Sequence, residues 1–325
     1  MKSAKDIRIV FMGTPDFAVE SLKALVENGY NIVGVITSPD KPAGRGQKMA
    51  MSAVKKYAME QNLHIMQPEK LKNPEFLQEL EGLKADLQIV VAFRMLPELV
   101  WNMPPMGTFN LHGSLLPRYR GAAPLNWAVM NGDKETGVTT FLLKHEIDTG
   151  NIIAQRKIEI SEKDNVGTIH DKLMVIGAQL VVDTVDELAA GDVKFISQDE
   201  LVAKGYELKH APKIFKNDCL IDWNETVDKI DNKVRGLSPY PAAWSKLLPI
   251  EEGKELSFKL YEAEKEIVET GVTPGTINTD GKTFAKVACA DGWLHLQDLQ
   301  LAGKKRMKID ALLRGFQQMA NYKAQ

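Results

Sequence analysis

A chain of 325 residues, 44% apolar and 26% charged, has the composition of an ordinary globular protein long enough for two domains. Its 41 Lys+Arg and 43 Asp+Glu leave a formal net charge of −2, so bulk charge does not by itself point to a nucleic-acid partner. No apolar run approaches the roughly 18 residues of a membrane span, the opening MKSAKDIRIVFMG is too short in apolar residues for a secretory leader, and Cys219 and Cys289 form no metal-spaced set, so a reduced cytosolic setting is expected.

In chain order, residues 7–13 (IRIVFMG) predict a buried strand ending in Gly13. Residues 15–29 carry Phe17, Leu22, Leu25 and Val26 at helical spacing and stop at Gly29, a usual helix terminator. NIVGVITS predicts a second strand, residues 52–61 a helix, LHIMQP a short strand, residues 74–83 a helix, and LQIVVAF a continuous apolar strand. Strands separated by helices imply βαβ units and a parallel sheet. Later strands around 138–143 and 152–160 flank KHEIDTG as an antiparallel pair, and a long helix over 168–190 ends at Gly191. The pattern weakens over 192–208, which reads as a linker. After a helical TVDKIDNKVRGL, short strands with turns at Asp280-Gly281 and Asp291-Gly292 predict a small barrel. The expected fold is α/β: a doubly wound, mainly parallel Rossmann-like sheet over 1–191, the linker, and a smaller OB-like β-barrel domain over 209–325.

The segment TFNLHGSLLPRYRG, residues 108–121, is the place to look for chemistry. As a strand, Thr108, Asn110 and His112 face one way while Phe109 and Leu111 face a core. Asn110 and His112 then project together from a strand end, where α/β folds collect ligands. Gly113 permits a sharp turn and Ser114 offers a hydroxyl, yet HGSLLP lacks the G-x-S-x-G nucleophile elbow. Asp148 in EIDTGN is the natural third member, although an Asp-Thr-Gly alone is ordinary turn chemistry. Gly13 opens MGTPDFA, which is not G-x-G-x-x-G, so a nicotinamide oxidoreductase lacks its fingerprint.

FMGTPDFA, PDKPAGRGQK, FNLHGSLLPRYRGAAP and IDTGNI occur in order, followed by GLSPYPAAW and LQLAGKKRM. Together they resemble the 10-formyltetrahydrofolate-dependent formyltransferases along nearly the whole chain; PAGRGQK and the C-terminal part narrow the resemblance to members that act on methionyl-tRNA. The resemblance implies catalytic roles for Asn110, His112 and Asp148, and a folate site lined by Ser114, Leu115, Leu116 and Pro117. It implies formyl transfer from 10-formyltetrahydrofolate to the α-amine of methionine on initiator tRNA, by a cytoplasmic, monomeric protein with no metal and no membrane partner. Those residue types suit the reaction: an amide and an imidazole can donate to the oxygen that gains negative charge, and a carboxylate can orient the imidazole or relay a proton.

Residues 40–56 hold five basic residues against one acid. They read either as a solvated loop or as a mobile arm that orders on the tRNA acceptor end, with Lys41 and Lys48 on the tRNA and Arg45 on phosphate or near the unpaired first base pair. Lys304, Lys305, Arg306 and Lys308 form a second basic group, with Lys209, Lys213 and Lys216 near the linker; these read either as ordinary surface charge or as residues that track RNA backbone. Arg94 in VVAFRMLP stands where the family usually has glycine, so its side chain must either turn away from the folate pocket or touch the ligand. KHEID also departs from the commoner DVGLD. Formyl transfer to a sugar amine or a glycinamide nucleotide, formyl-folate hydrolysis, and a noncatalytic RNA-binding module remain the competing readings; the basic arm and second domain weigh against the first three, and the polar trio against the last.

Overall fold

A computed structural model of the chain describes residues 3–43, 48–191 and 193–325. By internal contact the chain divides into two compact units. One comprises Met1–Gly121, Thr136–Ile158 and His170–His210; the other comprises Ala122–Glu135, Glu159–Ile169 and Ala211–Gln325.

The first unit begins with β1 (Ile9–Gly13), α1 (Asp16–Glu27) and β2 (Ile32–Ile36). Every residue of β1 is buried, as a strand covered on both faces requires. The arm follows as two short strands, β3 (Lys41–Ala43) and β4 (Lys48–Ala50), paired antiparallel in a segment that the sequence reads as either a solvated loop or a mobile arm. Next come α2 (Ala53–Glu60), whose Ser52 cap accepts from Lys55 N–H, β5 (Ile65–Met66), and α3 (Pro74–Gly82), started by Asn73 with proline in its first turn. β6 (Leu87–Val91), α4 (Glu98–Trp101), β7 (Thr108–His112) and the two-residue β8 (Arg120–Gly121) complete the run. After α5 (Pro124–Met130), which belongs to the other unit, β9 (Glu135–Leu142) and β10 (Ile152–Glu159) close the sheet edge, and α6 (Val166–Ala190) covers it.

The sheet order is β10-β9-β7-β6-β1-β2-β5. β1, β2, β5, β6 and β7 run parallel, and β9 is antiparallel to β7. The chain winds outward from β1 to β5, then returns on the other side of β1 through β6 and β7. That reversal lies between β1 and β6, with β7 next to β6, and sheets of this kind collect ligands outside the carboxyl ends of the strands at such a point. Two glycines allow close packing here: a Cβ on Gly13 would lie 2.6 Å from the Ala18 Cβ, and one on Gly177 of α6 would lie 2.9 Å from the Leu111 Cδ2. Leu111 therefore faces α6, and the opposite face of β7 carries Asn110 and His112. The weak pattern of residues 192–208 conceals two ordered features. Ile196 exchanges backbone hydrogen bonds of 2.9 Å with Ile152, and α7 (Gln198–Ala203) starts at a Ser197 cap.

The second unit contains α5 and, after the bridge strand β11 (His210–Ala211), α8 (Val227–Leu237). Its sheet is built from β12 (Ala243–Pro249), β13 (Leu256–Ile267), β14 (Ile277–Thr279), β15 (Ala285–Ala288), β16 (Gly292–Leu301), β17 (Met307–Lys308) and, beyond α9 (Ile309–Leu313), β18 (Tyr322–Ala324). The order is β14-β15-β16-β13-β12-β18, with β17 on β16. Thr276 bridges to Lys323 and Ala324 N–H donates to Gly275 O at 2.8 Å, so the two edges meet and the antiparallel sheet nearly closes into a barrel. Val227, Ile230, Val234 and Leu237, at helical spacing along α8, fill its core with Phe258, Leu260, Leu294 and Leu296. α5 packs on α8 so closely that a Cβ on Gly236 would lie 2.4 Å from Met130 Cγ.

Candidate active site

Asn110 and His112 sit on one face at the carboxyl end of β7, beside β6 (Val90 pairs with Asn110) and β9 (Phe141 pairs with Asn110, Thr139 with His112). Asn110 is half-buried, and its side-chain amide has no hydrogen-bond partner among the described residues. A half-buried amide with unused donors, on the strand next to the switch point, is suited to a ligand.

His112 is 6% exposed and lies edge-on to the Phe141 ring at 6.4 Å between centroids. Its Nε2 is 2.9 Å from the Tyr119 carbonyl oxygen. A carbonyl only accepts, so Nε2 carries a hydrogen and donates it. Nδ1 then faces Asp148, whose Oδ2 is 3.9 Å away, within ion-pair range but too long for a hydrogen bond. Tyr119 adopts φ of 61°, a left-handed conformation in the turn that brings its carbonyl to the ring.

Asp148 also has a left-handed backbone, φ 56°, which a carboxylate residue tolerates at a cost of about 1–2 kcal/mol. Its Oδ2 accepts the Gly121 backbone N–H at 2.9 Å, so β8 and the β9–β10 turn are tied together at the carboxylate. Gly150 closes that turn against β9: a Cβ there would lie 1.5 Å from the Leu142 carbonyl oxygen, which no side chain permits. Gln198 reaches the same turn, donating to the carbonyls of Asp148 and Gly150 at 2.9 and 2.8 Å. The sequence pattern did not single out Tyr119, Gly121 or Gln198, because their parts are played by backbone atoms or by an amide 50 residues away from Asp148.

The four residues expected to line a folate site build the turn after β7. Ser114 is fully buried and donates its hydroxyl to Arg118 O at 2.6 Å. Leu116 is buried with Phe141 and Ile152, Pro117 is buried, and Leu115 is half-buried. Thr139 Oγ1 donates to Ser114 O at 2.6 Å and accepts from Leu116 N–H at 3.2 Å, and Gln155 donates to Leu116 O at 3.0 Å. Arg94 turns its guanidinium onto backbone: Nη1 donates to Glu69 O at 2.9 Å and Nη2 to Pro68 O. An open groove of about 800 Å³ near α4, with Leu71, Met95, Leu99 and Met103 in its walls, includes none of the three polar residues.

The basic residues divide by engagement. Arg45 lies outside the described residues, and Lys48 is in β4 with its side chain undescribed. Lys41 is exposed. Lys55, by contrast, is paired with Asp40, the acid of the same segment, at 2.6 Å; Lys55 and Gln67 hold that carboxyl below the usual carboxylate range. In the other unit Lys304 and Lys305 are exposed in the turn between β16 and β17. Arg306 is bound through Nε and Nη2 to the two oxygens of Asp298, at 3.1 and 3.0 Å, and stacks over Tyr261 at 4.1 Å.

Residues 7–185 match the formyl transferase family and residues 213–317 match the formyl transferase C-terminal domain. The chain is 61% identical to the methionyl-tRNA formyltransferase of Parabacteroides distasonis over 98% of both chains, and 61% identical to that of Bacteroides fragilis over 96% of both. Among solved structures, an N-formyltransferase from Helicobacter canadensis in complex with folinic acid and dTDP-3-aminofucose shares the fold at TM-score 0.65 and 20% identity, over 90% of this chain and 99% of that one. HypX from Aquifex aeolicus in complex with tetrahydrofolic acid does so at TM-score 0.61 and 21% identity, over 95% of this chain and 47% of that one. With both halves matched and relatives at this identity along nearly the whole length, the chain belongs to the methionyl-tRNA formyltransferase family.

Proposed function

We infer that the chain transfers the formyl group of 10-formyltetrahydrofolate to the α-amine of methionine esterified to initiator tRNA, and that Asn110, His112 and Asp148 carry the chemistry. The folate supplies an activated formyl carbon. The new bond joins the amine nitrogen to that carbon, the bond from the carbon to the folate nitrogen breaks, and the amine proton ends on the folate nitrogen. Asn110 donates an N–H to the formyl oxygen as it gains negative charge. With Nε2 held by Tyr119, Nδ1 is the ring atom that takes a proton from the attacking amine and hands it on. Asp148 faces that atom and stabilises the ring while it is charged. Residues 114–117 serve the folate side through Leu115 and backbone, since the Ser114 hydroxyl is already engaged.

The single observation behind this assignment is the unused amide of Asn110 beside the His112–Asp148 pair, on the strand next to the switch point. Lys41, Arg45, Lys48, Lys304 and Lys305 fit contacts to tRNA phosphates, with the barrel unit as an RNA-holding domain and the chain acting as a monomer. The test supplies formyl-labelled folate together with charged initiator tRNA, charged elongator tRNA and small amines. Label should enter initiator Met-tRNA; label in a small amine instead would overturn the acceptor. Asn110→Ala and His112→Ala should each lower kcat/KM by about 10²–10³ with folding unchanged, and near-normal turnover would remove the role. Lys304→Ala with Lys305→Ala should flatten the logarithmic salt dependence of tRNA binding by about one contact each.

A further inference from the structure

We propose that Gln198, from the weakly patterned segment between α6 and β11, is a positioning residue for Asp148; the proposal rests on the reading of Asp148 as part of the reacting group. Gln198 is 1% exposed. Arg120 Nε donates to its Oε1 at 3.0 Å, so the oxygen end of the amide is assigned and the NH₂ end points the other way. Both hydrogens of that NH₂ are used, on Asp148 O at 2.9 Å and Gly150 O at 2.8 Å. One amide therefore clamps the two carbonyls that bracket Thr149.

The clamp acts where the backbone needs it. Asp148 sits at φ 56°, and an unrestrained turn would relax from that conformation. Released, the turn would swing the Asp148 carboxylate away from Nδ1 of His112, now 3.9 Å from it. Gln198 is itself anchored by the reciprocal Ile196–Ile152 backbone bonds, so its amide is delivered from a second element rather than from the turn. Arg120 precedes Gly121, the residue whose N–H holds Asp148 Oδ2, so the strand that orients the amide also grips the carboxylate. The chemistry demands a neutral double donor: a carboxylate in the same place would face two carbonyl oxygens and repel both.

The experiment measures formyl transfer to initiator Met-tRNA by the full chain as a function of pH. Gln198→Met keeps the volume and removes the donors; its kcat should fall about 10²-fold with KM for folate and tRNA little changed, as a small misplacement of a reacting group does. Gln198→Glu should be impaired at neutral pH and recover toward the wild type as pH falls toward about 5, because a protonated carboxyl regains one O–H donor. Asp148→Asn is assayed alongside. If Asp148→Asn is inactive while Gln198→Met and Gln198→Glu keep wild-type kcat and pH profile, the positioning role is wrong and the role of Asp148 stands. If Asp148→Asn is active, the reading beneath the proposal falls. Should Gln198→Met fail to fold, Gln198→Glu decides: acid recovery supports the clamp, and a profile parallel to the wild type overturns it.

Discussion

Among the turns of this molecule that set an Asp close to a Gly, those at Asp280 and Asp148 use the carboxylate in opposite ways. At Asp280-Gly281, between β14 and β15, the carboxylate accepts from the N–H groups of Lys282, Thr283 and Phe284, at 2.9, 2.7 and 3.1 Å, and from the Thr283 hydroxyl. The glycine takes the left-handed position, φ 71°, and the turn satisfies itself. At Asp148-Thr149-Gly150 the Asp itself is left-handed, its carboxylate leaves its own turn for Gly121 N–H and His112, and its carbonyl is held by Gln198. At Asp280 the acid is consumed by its own backbone; at Asp148 the acid is turned toward the His112 ring from a turn that other elements hold in shape.

This contrast can be broken in three steps. The largest effect is expected at the exported acid: Asp148→Asn should reduce kcat/KM by about 10²–10³ while leaving the thermal midpoint close to the wild type. A variant that keeps its turnover, or one that loses the fold, would place Asp148 with the self-satisfied acids. Next, Gly281→Ala forces a Cβ into φ 71° and should cost about 1–2 kcal/mol in denaturant unfolding without touching kcat. The smallest effect is at Asp280. The Thr283 hydroxyl, then the Thr283 and Lys282 N–H groups, hold its folded carboxyl well below the usual carboxylate range. A depressed folded pKa contributes stability that is complete above the unfolded value and is lost as pH falls through the folded one. The unfolding midpoint of the wild type should therefore exceed that of Asp280→Asn at neutral pH, and the gap should narrow below about pH 4, with formyl transfer equal at neutral pH. A gap that stays constant with pH would mean that the carboxylate charge is not what holds the turn.

Much of this organisation is legible along the chain. Alternation in TFNLH is enough to put Asn110 and His112 on one face, because a strand has a period of two whatever surrounds it. Gly13, after a run of buried residues, marks a tight strand exit for the same local reason. The basic run 304–306 is equally visible, but its three members are not equivalent in space. Arg306 is held by Asp298 across the β16–β17 pair and by the Tyr261 ring from β13, so Lys304 and Lys305 present the free charge. Lys55 is likewise removed from the basic arm by Asp40. Arg94 left two readings open from sequence, and the carbonyls of Pro68 and Glu69 take up its guanidinium.

Residue order alone determined the βαβ winding, the strand-rich last third, the strand end that carries Asn110 and His112, and the family, because periodicity and contiguous motifs are local properties. Only the tertiary structure decided that α5 belongs with α8 in the second unit, that Ile196 and Gln198 are sewn to the β9–β10 turn, and that His112 offers Nδ1 rather than Nε2. Those are matters of which carbonyl or carboxylate stands within about 3 Å of a given donor. A hydrogen bond between residues dozens of positions apart leaves no period or spacing in the chain, so only folding brings its two ends into view.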